Sequence, residues 1–422
     1  MKKSLLPMLA LFIGAMLLNS PIRSQAINDT AVMGSGYAND VYYSMENGVV
    51  KTEPRVNWDI AFYTNRWSAG VMINEGMGMR VFTYPLADTS GWNTVDISGI
   101  DSWPSMSNSD TIWEDGAFNR NALGHPDYGW GVYNTINHDV IGDSLYIVQM
   151  ADASYKKLWI QRKNSTANTY YFKYANIDGS NEVSEVLDVS PYESKLFVYY
   201  SLTIAAVADR EPALTSWDIL FSKYMAIVFD GEGNPSYYPV VGALLNPTSG
   251  ANRFSPVGPD YEDWYAAPME STKTPIGHNW KTFDMNTFSW LIEENLAYFV
   301  QTQEGNVYKL VFDYFSGSGS GKIGFVKKLV SMVSVNEQAD AVSITAFPNP
   351  ASNQASVHFD EAFTANALLK VYDQSGRLVC QYQVGAGNNA FLLPLDKLTN
   401  GLYIIRVEAE GKVAQHKLVV QN

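Results

Sequence analysis

A chain of 422 residues has room for two or three domains and a sizeable core. Its 43 acidic against 29 basic residues leave a net charge of −14, which excludes the clustered Lys and Arg that nucleic-acid phosphates demand. A single cysteine, Cys380, excludes an intrachain disulfide and a thiolate metal cluster. At the start, Lys2 and Lys3 lead into an apolar run from Leu5 to Leu18, broken by Asn19-Ser20-Pro21 and followed by the small residues Ser24-Gln25-Ala26. Residues 1–26 are therefore predicted to be a secretory signal peptide. The run is short for a bilayer span and no other segment matches it, so no transmembrane helix is expected.

From Ala31 to about Ile177 the chain reads as short strands separated by turn signals, among them Val56–Phe62, Gly70–Asn74, Met79–Tyr84, Leu145–Met150, Lys157–Arg162 and Thr169–Tyr174. Asp88–Asn137 is long, rich in Gly, Ser, Asn and Asp, and is expected to be a large irregular insertion of the kind that carries binding function. After Asn176–Gly179 a second set begins with Lys195–Leu202, and Asp230-Gly231 marks a hairpin between Ala226–Phe229 and Tyr237–Leu244. A Pro-rich loop follows from Asn246 to Pro275, then strands at Leu296–Thr302, Val307–Phe312 and Lys322–Lys327.

The two sets repeat one another. Trp58-Asp59-Ile60 returns as Trp217-Asp218-Ile219, Tyr146-Ile147-Val148-Gln149 as Tyr298-Phe299-Val300-Gln301, and Tyr155-Lys156 as Tyr308-Lys309, at offsets of 159, 152 and 153 residues. Spacings this long indicate a duplicated domain, since solenoid repeats run at roughly 20–50 residues. Two tandem β-sandwich-like units are expected, over residues 27–180 and 181–330. Residues 331–341 read as a polar linker, and 342–422 as a small seven-stranded β-sandwich with turns at Pro348-Asn349-Pro350, Asp373–Gly376 and Asn400-Gly401. The expected class is all-β, with at most one short helix.

The last domain resembles the C-terminal sorting domain of the Bacteroidetes type IX secretion system. Phe347-Pro348-Asn349-Pro350-Ala351, Val371-Tyr372-Asp373-Gln374-Ser375-Gly376-Arg377, Asn400-Gly401-Leu402-Tyr403 and Lys417-Leu418-Val419-Val420 carry the likeness. It implies passage across the outer membrane by that machinery, removal of the domain by a sortase-type peptidase before Phe347, and attachment to surface lipopolysaccharide or release. The two tandem units resemble the HmuY-like family of secreted haem-binding β-proteins, through the Trp-Asp-Ile and Tyr-Lys phrases, Lys195–Leu202, Tyr171–Gly179 and Gly321–Phe325. That likeness implies haem held by paired His or paired Met.

Axial ligands to haem iron are usually His, Met, Tyr or Cys. His125 and His138 flank an aromatic, Gly-rich tract and would place two imidazoles on one pocket wall; the alternative is a pair of loop histidines facing solvent. Met77 and Met79 are two apart, so on a strand both would point to one side as ligands or as core filling. Trp58 and Trp217 are assigned to the core, with Asp59 and Asp218 bonding backbone. The runner-up function is a surface adhesin or glycan-binding component without haem, with Trp103, Trp113, Trp130 and Trp264 as the exposed candidates for a glycan platform. No catalytic pattern survives: Ser316–Lys322 lacks the first Gly and the Ser/Thr of a phosphate loop, and no Gly-x-Ser-x-Gly elbow occurs. The expectation is a non-catalytic, surface-delivered binding protein.

Overall fold

The computed structural model describes residues 25–331, 344–359, 362–373, 377–409 and 412–421. Most of the expected signal peptide, nearly all of the linker and Gly376 lie outside them. The described chain is all-β, with only 3-10 turns between strands, and no helix among the described residues is long and apolar enough to cross a membrane. It divides near residue 333 into two compact units.

The first unit stacks four main sheets, with a fifth, two-stranded one formed by Lys281–Asp284 and Ser289–Ile292. One inner sheet pairs Ile60–Tyr63 with Val71–Ile73 and Phe197–Ser201, and the latter with Ala206–Ala208. The other pairs Asn39–Ser44 with Gly48–Pro54 and Ile219–Phe229, and the latter with Pro235–Leu245. Strand alternation explains the layering. Ile60, Phe62, Val198 and Tyr200 point into one core, with Val148, Leu158 and Phe172 of an outer sheet opposite. Val41, Tyr43, Ile219 and Phe221 point into a second core, closed by Tyr298, Leu310 and Phe325 of the other outer sheet. The intervening residues Tyr42, Ala61, Phe197, Tyr199 and Leu220 face a third cluster, where the two inner sheets meet. Because both faces are covered, all of Phe197–Ser201 is buried, and such strands read as continuous apolar runs.

The sequence copies 27–180 and 181–330 are not the packing units. The strand Asn39–Ser44 of the first copy pairs with the Trp-Asp-Ile strand of the second, Tyr43 opposite Ile219, while Phe197–Ser201 of the second pairs with that of the first, Tyr200 opposite Ile60. Ile27–Val32 likewise joins Lys322–Ser331. The two copies have exchanged their leading strands. The signal was present in the sequence: Val41-Tyr42-Tyr43-Ser44 is repeated letter for letter as Val198-Tyr199-Tyr200-Ser201. Strand register also corrects the Tyr-Lys match by one residue. Lys157 lies opposite Ile147 and Lys309 opposite Phe299, so these two lysines are the equivalent pair.

The repeated Trp-Asp-Ile phrase locks this exchange. Asp59 N–H donates to Tyr200 O at 2.9 Å and Asp218 N–H to Tyr43 O at 2.8 Å. The Asp59 carboxylate accepts from Ser201 Oγ at 3.0 Å, and that of Asp218 from Met45 N at 2.8 Å. Trp58 packs edge-on to Tyr199 and Trp217 edge-on to Tyr42, while the two tyrosine hydroxyls meet at 3.4 Å. The core assignment of both tryptophans and the backbone-bonding role of both aspartates agree with this geometry.

In the second unit a three-stranded sheet, Ile344–Phe347, Gln354–Phe359 and Ala390–Pro394, and a four-stranded sheet, Leu378–Val384, Ala367–Asp373, Gly401–Ala409 and Lys412–Val420, share one core that includes Val357, Leu369, Leu393, Ile405 and Leu418. Asn349 acts as a clasp between Pro348 and Pro350: its Nδ2 donates to Lys417 O and its Oδ1 accepts from Val419 N, both at 2.8 Å. Tyr403 is buried and donates to Thr399 O at 2.9 Å.

Candidate functional site

The insertion Asp88–Asn137 ends in a hairpin, Gly131–Tyr133 paired with Asp139–Gly142. Trp130 anchors it, fully buried with Nε1 donating to Ala69 O at 2.8 Å. Asn134 Oδ1 accepts from Ile136 N, and His138 N donates back to Asn134 O, which closes a tight loop with His138 at φ 63°. The preceding turn is organised by Asp127, whose carboxylate accepts from Leu123 N and Gly129 N. Tyr133 N donates to Pro126 O at 2.8 Å and so lays the His125-Pro126 turn against the hairpin.

These bonds bring both histidines to Tyr133. The His125 ring lies 5.4 Å from the Tyr133 ring and the His138 ring 6.0 Å from it, with His138 Nδ1 2.6 Å from the Tyr133 hydroxyl. Trp67 approaches His138 edge-on at 6.0 Å. Both imidazoles are exposed. Trp67 is 61 % exposed, and Leu123 and Ile136, on the same two loops, are 93 % and 89 % exposed, so the imidazoles stand among uncovered apolar side chains. When Nδ1–H donates to the tyrosine oxygen, the Nε2 lone pair of His138 is left free for a metal. Trp67 and Tyr133 were not singled out from sequence, although Tyr133 lies between the two histidines in the chain.

The second copy shows what is particular to the first. Its corresponding hairpin, Lys281–Asp284 with Ser289–Ile292, follows the fully buried Trp280 at an offset of 150 from Trp130. At the same offset Phe283 replaces Tyr133 and Phe288 replaces His138. The backbone is retained, with Phe288 at φ 50°, but the imidazole is gone.

The remaining candidates are scattered. Met77 closes a 3-10 turn over Glu75–Met77 and Gly78 has φ 80°, so Met77 and Met79 do not share a strand. Met79 belongs to the first core, 3 % exposed, with Met77 packed on that core's edge. Trp113 and Trp130, expected at the surface, are buried, and Trp113 Nε1 donates to Leu245 O at 2.8 Å. Their aromatic rings cement loops to cores. Trp103 and Trp264 are half-buried. Trp103 lines an open groove of about 380 Å³ with Arg120, Asn121 and Tyr237, and Trp264 sits edge-on to the exposed Tyr265. No group of three or more His, Cys, Asp or Glu among the described residues is arranged to hold a metal ion.

Comparison with known proteins bears on the C-terminal unit. Residues 345–421 match the model of the secretion system C-terminal sorting domain. The chain is therefore a type IX export substrate, delivered to the cell surface or beyond. Pro348, Asn349, Pro350, Gly401, Tyr403 and Lys417 fall inside the matched sorting domain, where Asn349 clasps the last strand. No curated protein matches the chain. Among solved structures it is similar to dimeric latent PorU from Porphyromonas gingivalis, at 11 % identity and a TM-score of 0.17, over 93 % of this chain and 34 % of that one. It is also similar to the BSP domain of a biofilm-associated protein, at 10 % identity and a TM-score of 0.16, over 96 % and 68 % of the two chains. E. coli alpha-2-macroglobulin gives 8 % identity and a TM-score of 0.17, over 94 % and 23 %. This chain thus spans about a third of the length of the first, and likenesses at this level assign nothing.

Proposed function

We propose that the four-sheet unit is a non-catalytic binding protein displayed or released at the cell surface, and that its ligand is haem or a related porphyrin met at His125, Tyr133 and His138. The observation that carries this reading is the convergence of two exposed imidazoles on one tyrosine, beside the uncovered apolar residues Trp67, Leu123 and Ile136. A porphyrin is a flat apolar body with a metal at its centre, so its surface demands apolar cover and its iron demands an imidazole. The likeness of the repeated phrases to HmuY-like proteins supports the same ligand. Haem supplies the iron; His138 would offer Nε2 to it, and the Tyr133 hydroxyl sets the ring's tautomer and orientation. Titration of the mature chain with haem is expected to give a saturable Soret band that is lost in a His125→Ala/His138→Ala double variant. Absence of a saturable band, or a band that the double variant leaves intact, rejects the reading.

A second reading rests on the groove beside Trp103. An aromatic ring flanked by Arg120, Asn121 and Tyr237 offers the flat face and the polar rim that a sugar uses. A glycan array compared between the mature chain and its Trp103→Ala and Trp264→Ala variants separates the two, since a haem site at His125 and His138 is indifferent to these changes.

A further inference from the structure

A different pocket, of about 320 Å³, lies where the long first-copy loop crosses the second copy, and it takes no part in the haem reading. Its volume is at the lower end of ordinary small-molecule sites. Asp110 is part of its lining, on a loop held because Lys273 N donates to Thr111 O at 2.8 Å and Trp113 Nε1 to Leu245 O. The other polar lining comes from Tyr224, Arg253, His278 and Tyr298.

Two features mark it as built for a ligand. Tyr224 and Tyr298 are 6 % and 1 % exposed; the Tyr224 hydroxyl has no hydrogen-bond partner among the described residues, and that of Tyr298 has only the Arg253 side chain beside it. An unpaired buried hydroxyl costs about 1–3 kcal/mol. The duplication provides an internal control, because the equivalent of Tyr298 is Tyr146, whose single hydroxyl proton is shared between Phe118 O at 3.1 Å and Gly129 O at 3.2 Å. The first copy satisfies this group with backbone carbonyls, whereas the second sets it beside the Arg253 side chain. The second feature is charge. Arg253, the cross-strand neighbour of Tyr298, is exposed and has no ion pair among the described residues. Tyr224 lies within electrostatic reach of both Tyr298 and Asp110, and His278 packs edge-on to it at 6.4 Å. A cation therefore stands beside the Tyr298 phenol and a carboxylate near that of Tyr224, on the lining of one pocket.

We propose that this pocket binds a small zwitterion, a free amino acid or a peptide of two or three residues, with its carboxylate on Arg253 and Tyr298 and its ammonium on Asp110. Charge-assisted bonds to both ends would give selectivity over molecules bearing one charge. The test is calorimetric titration of the mature chain with glycine, alanine, Ala-Ala and Ala-Ala-Ala, each beside its N-acetylated and C-amidated form. Saturable binding of at least one unblocked probe is expected, weakened about tenfold or more by either block and by Arg253→Gln. Arg253 is exposed, so that variant retains the fold, and Tyr298→Phe is expected to weaken binding several-fold with no loss of cooperative unfolding. The His125→Ala/His138→Ala variant is expected to bind the probe as the parent does, so the outcome is independent of haem. No saturable heat from any probe, equal binding of blocked and unblocked forms, or undiminished binding by Arg253→Gln overturns the proposal.

Discussion

Glu211 shows how single residues carry the cost of the exchanged architecture. It is 2 % exposed, beside the inner-sheet strand Phe197–Ser201, and its carboxylate accepts from Leu196 N at 2.8 Å, Tyr199 Oη at 3.0 Å and Phe197 N at 3.1 Å. Burial pushes its pKa up to about 7, against the opposing pull of these donors and of Arg210. A raised folded-state pKa means that the folded chain holds this proton more tightly than the unfolded chain. The stability it contributes is fully present below the ordinary 4.5 and is lost as pH climbs through about 7. The shift corresponds to on the order of 3 kcal/mol. Glu211→Gln keeps an acceptor and removes the titration, so its unfolding free energy should fall less than that of the parent between pH 4.5 and 8, by about that amount. Urea denaturation at the two pH values measures the difference; parallel pH profiles would contradict the buried, proton-holding carboxyl. Glu75, likewise pushed up to about 7 by burial, is common to both proteins and cancels.

At the scale of elements, the paired hairpins after Trp130 and Trp280 share a backbone and differ in what it presents. The last residue of each loop adopts positive φ, which costs a side-chain-bearing residue about 1–2 kcal/mol relative to the right-handed region. In the second copy this residue is Phe288, 76 % exposed and with no ring partner among the described residues, so little burial offsets the strain. Phe288→Gly is expected to stabilise the chain by roughly 0.5 kcal/mol after allowing for the extra backbone entropy of glycine. A loss of stability in denaturant melts would show that the ring is held by contacts the fold does not display. The buried lysines make a second element-level pair. Lys157 Nζ donates to Trp92 O at 2.7 Å, and Lys309 Nζ to Pro259 O at 2.6 Å and Tyr261 O at 2.7 Å. In both copies one ammonium ties a long loop to the sheet beneath it, which keeps loops of this length ordered.

For the whole molecule, exchange of the leading strands makes the two copies one folding unit. The second core contains Ala31, Met33, Val41, Tyr43 and Met45 from the first copy, and the first core contains Val198, Tyr200 and Leu202 from the second. Each of the larger of these side chains, such as Met33, Val41, Met45, Val198 and Leu202, contributes about 1.5–3 kcal/mol on burial. A fragment of residues 27–180 lacks one inner strand of its own core and exposes five side chains meant for the other. It should show no cooperative urea transition, whereas residues 25–331 should unfold in one. A sigmoidal transition from the short fragment would mean that the copies fold independently.

The all-β class, the duplication and the sorting domain were legible in the chain because each is written in local patterns: alternation, turn residues, and phrases repeated at fixed offsets. Trp58 and Trp217 were readable as core and Asp59 and Asp218 as backbone partners because the same short phrase recurred where no chemistry required it. Partner choice was not legible, since a strand's sequence records which faces are buried and is silent on which equally apolar edge it joins. Val41–Ser44 and Val198–Ser201 are identical, so either could pair with either Trp-Asp-Ile strand, and only chain connectivity and packing select the exchange. Exposure of the tryptophans was decided in the same way. Trp113 and Trp130 lie in a polar, Gly-rich loop and look exposed in sequence, yet a carbonyl on a distant strand or loop, Leu245 O or Ala69 O, satisfies each indole and lets the ring be buried. The convergence of His125 and His138 on Tyr133, and the buried Tyr224 hydroxyl with Tyr298 and Arg253 near it, are likewise properties of three-dimensional neighbours and exist only once the sheets have packed.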